Sequence, residues 1–273
     1  MTTHSPDLTT LEYEAGLIGL LPVLEIVKTI IYTGQVKGER PASALIIAPI
    51  GAGKTSVLEK IVCETAEFTS DFTAREASPI VQNDALTHVM IGDLLSVLDH
   101  KAGTVKLSLN VLAKLTGDTL LTDPFSGRMI KPKRMGCISA IPPGKFDERK
   151  TQSMLMNGGL ASRFIIVRYH YTPETIRRIH QFIKSDAYTK VKPFEFPVER
   201  GAFDVKIPAY IADKIELLTR SVKNDSIGAR AHHHLRALVK ARARMRDSNE
   251  VADEDFAFVE QSSDFFEGNG RTI

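Results

Sequence analysis

One lysine and one threonine, set in the loop Pro49-Ile50-Gly51-Ala52-Gly53-Lys54-Thr55-Ser56, carry the clearest chemistry in this chain. A glycine-containing turn from a strand into a helix aims successive backbone N–H groups at one point, and the helix N-terminus adds partial positive charge. Such a loop traps phosphate. Lys54 would reach the terminal phosphates and Thr55 would place its hydroxyl on Mg²⁺. Further along, Leu86-Thr87-His88-Val89-Met90-Ile91-Gly92-Asp93 is an apolar segment ending in a carboxylate. A strand there brings Asp93 to the sheet edge, where it can hold Mg²⁺ directly or through water. A turn aspartate closing an ordinary strand has the same appearance.

The elements around these residues follow from apolar spacing. Ala44-Leu45-Ile46-Ile47 reads as a buried strand, and Ser56–Val62 as the helix after the loop. Before them, Leu17, Leu20, Leu21, Leu24, Val27, Ile30 and Ile31 recur at helical spacing over residues 11–32, with Pro22 bending or splitting the helix. Phe68–Ala77 alternates weakly as a further strand. Leu94–His100 and residues 101–120 read as helices, and Met135–Ile141 as a buried strand. Between these last two, residues 119–131 have the turn chemistry of a β-hairpin, with Asp123-Pro124 and Ser126-Gly127 at its tip. Arg128, Lys131, Lys133 and Arg134 make one arm basic. That arm is either a DNA contact or a solvated edge with gatekeeper charges.

The loop resembles the Walker A motif of P-loop NTPases, with Ala48 in place of the first glycine. The order of the later motifs narrows the likeness. Gly158-Gly159-Leu160-Ala161-Ser162-Arg163-Phe164, followed by Ile165-Ile166-Val167, resembles the Ser-Arg-Phe motif of the minichromosome-maintenance (MCM) helicases and related AAA+ ATPases. That resemblance implies that Arg163 is an arginine finger, entering a neighbouring subunit's nucleotide and neutralising charge on the transferred phosphoryl group. The alanine- and arginine-rich segment 229–244 is similar to the family's lid helix, which makes Arg230 the sensor-2 residue and Arg236 its substitute. Val251–Val259 matches the closing helix.

Two departures bear on activity. The family places Glu directly after the Walker B Asp; here Leu94 and Leu95 follow Asp93. Glu76 and Asp99 are the substitute carboxylates by proximity in sequence. The sensor-1 Asn position is Ile141, and Ser139 is the nearest polar replacement.

The 273 residues allow one large domain or two small ones, and 43% hydrophobic content is enough for a core. The net charge of +2 gives no global nucleic-acid signature, so any such surface is local. Cys63 and Cys137 lie in apolar segments and read as buried thiols of a reducing, cytoplasmic compartment. The N-terminal residues lack a signal-peptide core, and residues 16–32 are too interrupted for a membrane span. His232, His233 and His234 point different ways around a helix and do not make a metal site. The arginines at 242, 244 and 246 read as a solvated face.

The expected fold is α/β: a P-loop NTPase (AAA+) parallel sheet flanked by helices, with a small C-terminal helical lid. Residues 1–10 form a tail, 11–184 the ATPase core, 185–206 a connector, 207–262 the lid and 263–273 a disordered tail, with nucleotide between core and lid. The expected function is ATP binding and hydrolysis with Mg²⁺ in a homo-oligomeric ring or filament acting on DNA, as helicase core, loader or remodeller. The alternative is a slowly hydrolysing, ATP-dependent assembly switch serving replication or mobile-element proteins. A small-molecule kinase would leave the finger and lid motifs unexplained.

Overall fold

The computed structural model describes residues 8–117, 121–122, 129–130, 134–157, 159–185, 189, 191–195, 201–221, 228–266 and 271–273. The chain enters through helices α1 (Leu8–Ala15) and α2 (Leu21–Tyr32). Pro22 splits them by starting the second, because a proline in the first helical turn sacrifices no hydrogen bond. Strand β1 (Ser43–Ile47) is buried at every residue, which is why its sequence is an unbroken apolar run. Helix α3 (Lys54–Glu59) follows, then β2 (Ile61–Val62), β3 (Ala66–Thr69), α4 (Ala77–Gln82), β4 (His88–Ile91), α5 (Leu94–Leu98) and α6 (Ala102–Leu115). The short strands β5 (Leu121–Thr122) and β6 (Met129–Ile130) pair antiparallel, as a hairpin requires. Next come β7 (Gly136–Ile141), α7 (Pro143–Phe146), α8 (Arg149–Asn157), β8 (Phe164–His170), α9 (Pro173–Lys184) and β9 (Phe194–Glu195). The C-terminal part is helical, with α10 (Ala209–Ser221), α11 (Gly228–Met245) and α12 (Asp253–Phe266), before a last strand, β10 (Arg271–Thr272).

The main sheet has six strands in the order β10-β8-β1-β7-β4-β3, and its pairs are all parallel. Side chains of β1 divide by parity, as strand geometry demands. Ala44 and Ile46 face a core shared with α2 and the C-terminal helices, whereas Leu45 and Ile47 face a second core with α4, α5, α6 and α8. Burying each such large aliphatic side chain is worth roughly 1.5–3 kcal/mol. β7 lies between β1 and β4, so the strands leading to Lys54 and Asp93 flank a common neighbour.

Several elements differ from the sequence reading. The helix after the loop ends at Glu59, because Ile61–Val62 pairs with Phe194–Glu195. β3 stops at Thr69. Beyond it, the Asp71 carboxylate accepts from Phe72 N at 2.8 Å and Glu76 accepts from Thr73 N at 2.7 Å, which draws the backbone out of the ladder. The expected disordered C-terminal tail is structured where it is described. α12 extends to Phe266 with Phe265 buried, and β10 adds to the sheet edge, where Ile273 N donates to His170 O at 2.9 Å.

The supposed solvated arginines are structural. Arg244 is only 8% exposed and stacks 3.8 Å from the Phe203 ring centre, and Arg242 lies 4.0 Å from that of Phe258. Arg246 grips the buried Asp255 through two nitrogens, at 2.9 and 2.6 Å.

Candidate functional site

β1 delivers the chain into the loop at its C-terminal end, and Gly51 and Gly53 turn it with φ of 77° and 72°. Gly53 caps α3 in this left-handed conformation, and a Cβ there would lie 2.7 Å from Leu20 Cδ1. Ala52 N donates to Pro49 O, and Ile50 at the tip is 87% exposed. Lys54 points inward: it is largely buried, and its Nζ donates to Pro49 O at 2.8 Å. Burial lowers its pKa, while the nearby Asp93 carboxylate opposes that shift. The two sequence-predicted groups therefore stand close enough to feel each other's charge.

Thr55 and Asp93 meet at the same end of the sheet. Thr55 Oγ1 donates to Gly92 O at 3.2 Å, and a Cβ on Gly92 would touch Thr55 Cγ2 at 3.3 Å. Asp93 caps α5, and its Oδ1 accepts from Leu95 N at 2.9 Å, which leaves Oδ2 for a ligand. A hydroxyl beside a carboxylate offers the hard oxygen donors that Mg²⁺ selects, so the residues present fit that ion. Among the described residues no cluster of three or more His, Cys, Asp or Glu suggests another metal.

The remaining predicted polar groups lie elsewhere. Ser139 is fully buried within β7, and its hydroxyl donates to Ile91 O at 2.9 Å. Its one proton is therefore committed to the adjacent strand. Leu94, directly after Asp93, is 0% exposed and fills the core. Glu76 caps its own turn through Thr73, and Asp99 is exposed at the far end of α5. Asp71, two residues beyond β3, is held by His100 Nε2 at 2.9 Å. Burial alone would raise its pKa, but the His100 and Phe72 hydrogen bonds outweigh that and keep it low.

Sequence reasoning missed two tyrosines. Tyr169 and Tyr171 emerge from β8 two residues apart, hence on one side. Their hydroxyls donate to the same acceptor, Ala52 O in the phosphate loop, at 2.7 and 2.9 Å. The available signal was their spacing at the end of a core strand. Their meaning depends on β8 lying beside β1.

Arg163 and Arg230 occupy the opposite end of the sheet. Phe164, next to Arg163, pairs with Ser43 at the start of β1, whereas the loop follows Ile47 at its end. At ~3.3 Å per residue the five-residue strand separates them by about 16 Å. No arginine side chain spans that distance. Arg163 Nη1 donates to Gly159 O at 2.7 Å, and Arg230 hydrogen-bonds the Ser162 hydroxyl. Both line a cavity of about 250 Å³ that also includes Arg40, His233 and His234. Burial, together with the charges of Arg230, His233 and Arg40, pushes His234 down to about 4. The expectation that Arg230 reaches a nucleotide held between core and lid of its own chain does not match this placement. α11 begins beside Ser162, away from Lys54, because its body packs on α2. Arg236, the substitute, pairs with Glu39 at 3.3 Å, beside Lys240 at 2.8 Å. Arg128, Lys131 and Lys133 lie outside the described residues.

No family model and no curated protein matches the chain. Its fold is similar to that of a full-length MCM homologue from Methanopyrus kandleri. The superposition covers 96% of this chain and 62% of that protein, with a TM-score of 0.54 and 13% sequence identity. The chain thus spans less than two thirds of the MCM homologue's length. Identity this low carries the architecture alone: an α/β P-loop NTPase fold with a parallel six-stranded sheet. No helix among the described residues is long and apolar enough to cross a membrane.

Proposed function

We propose that this chain is an MCM-like AAA+ ATPase that binds ATP with Mg²⁺, assembles head to tail and acts on DNA. One observation carries the reading: the phosphate loop and the Arg163–Arg230 cavity sit at opposite ends of one sheet. A site split this way is completed only when another copy brings its arginines to the loop. That contact is heterologous, and repeated contacts of this kind build a ring or a filament.

Within that assembly the roles follow from position. Backbone N–H groups of residues 51–56 surround the phosphates, and Lys54 exchanges its bond to Pro49 O for one to a phosphoryl oxygen. Thr55 and Asp93 would hold the metal, which would supply positive charge to offset that of the phosphates. Arg163 of the neighbouring copy stabilises the negative charge that develops as water attacks the γ-phosphoryl group. Arg230, anchored on Ser162, adds a second positive charge beside it.

A second reading has its own support. Leu94 is buried where a water-orienting Glu is expected, and the Ser139 hydroxyl is bonded to Ile91 O. Both features favour slow turnover, in which ATP drives assembly and hydrolysis merely times disassembly. DNA action is supported by the paired β5 and β6 strands and by the basic residues Arg128, Lys131 and Lys133 in the hairpin sequence.

Two measurements on the purified chain test the reading: particle mass with and without ATP·Mg²⁺, and phosphate release with and without single-stranded DNA. Assembly on ATP with DNA-stimulated release supports the DNA-acting ATPase, and assembly with little release supports the switch. A chain that stays monomeric and takes up no nucleotide overturns both. DNA affinity should fall steeply with added salt, and replacing Arg128, Lys131 and Lys133 by alanine should weaken it and flatten the salt slope.

A further inference from the structure

The phosphate loop is tied to the edge of the sheet by an anchor that no sequence motif describes. Ala52 O accepts two hydrogen bonds, from Tyr169 Oη at 2.7 Å and Tyr171 Oη at 2.9 Å. A carbonyl oxygen has two lone pairs, so both places are filled. Tyr169 is only 2% exposed, and its ring centre lies 6.0 Å from that of Tyr171. Burial raises both phenol pKa values well above their ordinary range, so each remains a donor at any working pH. Gly53, the next residue, fits against the pair: a Cβ there would stand 3.2 Å from Tyr171 Oη.

The consequence follows from peptide geometry. No peptide bond among the described residues is cis, so the Ala52 C=O and the Gly53 N–H point in opposite directions from one rigid plane. Drawing the carbonyl toward Tyr169 and Tyr171 turns the Gly53 N–H away from them. Neither tyrosine needs to touch the ligand for this to work. Two donors on one acceptor also resist the rotation of the peptide plane that a flexible Gly51-Ala52-Gly53 segment would otherwise allow.

We infer that Tyr169 and Tyr171 are positioning residues of the phosphate site, locking the Ala52–Gly53 peptide so that its N–H meets the β-phosphate of a bound nucleotide. The inference rests on the nucleotide-binding reading given above. It also predicts partial redundancy: either hydroxyl alone still orients the carbonyl, but the loop opens more readily on one bond than on two.

The test uses the full chain with Tyr169→Phe, Tyr171→Phe and the double substitution, measuring the dissociation constant of ADP·Mg²⁺ and the thermal midpoint. Each single variant should bind within about threefold of the parent, because one donor remains, and the double variant should lose about tenfold or more, since roughly 1 kcal/mol per hydrogen bond is a factor of about five. That non-additive loss, with thermal midpoints little changed, separates positioning from general destabilisation. Equal binding by the parent and a folded double variant overturns the inference, as do additive losses that track the thermal midpoint. A parent that binds no ADP overturns the nucleotide reading itself, which is a different outcome. Should the double variant not fold, amide hydrogen exchange of the peptide 49–56 in the two single variants decides. Faster exchange confined to that peptide supports the anchor, and unchanged exchange refutes it.

Discussion

Separating Lys54 from Arg163 by the length of β1 makes a quantitative prediction about mixed assemblies. Phe164, next to Arg163, is level with Ser43, while the loop begins after Ile47, so the Arg163 backbone lies about 16 Å from the start of its own phosphate loop at ~3.3 Å per strand residue. Under the proposed function it contributes nothing to the nucleotide of its own chain, and its whole effect is exerted on a neighbour. Lys54→Ala removes the loop's ammonium, and Arg163→Ala removes the finger. Each variant alone should lose turnover, the second by roughly 10³-fold or more if it acts as arginine fingers do. Co-expressed in equal amounts with different affinity tags, the two variants form interfaces of four kinds. Only those pairing an intact loop from one variant with an intact Arg163 from the other are complete, about one quarter for random heterologous packing. Phosphate release by doubly tagged assemblies should thus recover to about a quarter of the parent value, or proportionally less where neighbouring dead sites slow the live ones. Assemblies shown by tandem purification to contain both variants, yet no more active than either alone, would refute the split site.

Three further substitutions probe the scaffold. His88 is fully buried between Thr87 and Ala42 O, and burial pushes its pKa down to about 4, against about 6.5 when unfolded. The unfolded chain binds more protons between those values. Its contribution is therefore intact above about pH 6.5 and declines as pH falls toward 4, by about 3 kcal/mol in all. Denaturant titrations across that window should show the slope, and His88→Gln should flatten it relative to the parent, in which His234 also contributes. Asp255→Ala leaves Arg246 with its exposed partner Glu254 at 3.0 Å and removes the acceptor for Ala252 N at 2.9 Å, so the lid should lose about 1–3 kcal/mol, read as a fall in denaturation midpoint. Gly136→Ala places a Cβ 2.3 Å from both Ala42 O and His88 Cδ2, contacts that the backbone before β1 and the fully buried His88 of β4 cannot relieve. Its cost should be about 3 kcal/mol at the upper end of overpacking losses, and a variant as stable as the parent would disprove the close approach.

What could be read from the sequence was what is local in the chain. The loop of residues 49–56 needs only a strand, a turn and a helix in succession, and Asp93 needs only an apolar run ending in a carboxylate. The fold brings Thr55 against Gly92 and Lys54 within range of the Asp93 charge. The apolar run of β1 likewise signals burial on both faces without reference to its neighbours. What was not legible depends on partners distant in sequence. Arg242, Arg244 and Arg246 looked like a solvated face because Phe258, Phe203 and Asp255, which hold them, come together only when α12 and the segment before α10 pack on α11. The C-terminal residues looked like a loose end because a two-residue strand has no periodicity to detect; its pairing is supplied by Tyr169 and His170.

The same distinction explains why β8 escaped notice as a functional element. Its sequence reads as a plain core strand after Ser162-Arg163, yet each end serves a different nucleotide site in the proposed assembly. Arg163 precedes its first residue and faces the neighbouring copy's site, whereas Tyr169 and Tyr171 at its far end hold the chain's own loop. β8 is hydrogen-bonded to β1 on one side and to β10 on the other, so it cannot slide or fray without breaking ladders on both flanks. A strand fixed in this way sets the spacing between the finger and the loop anchor. A nucleotide that reorients the Ala52–Gly53 peptide would therefore strain β8 along its axis rather than be absorbed in a flexible connector. Under the proposed function, the short C-terminal strand β10 is what keeps that edge stiff. Removing residues 271–273 should loosen the anchored loop as well as the strand beside it, measurable as faster amide exchange in both the 49–56 and 164–171 peptides. Faster exchange confined to the strand would show that the loop is held independently of it.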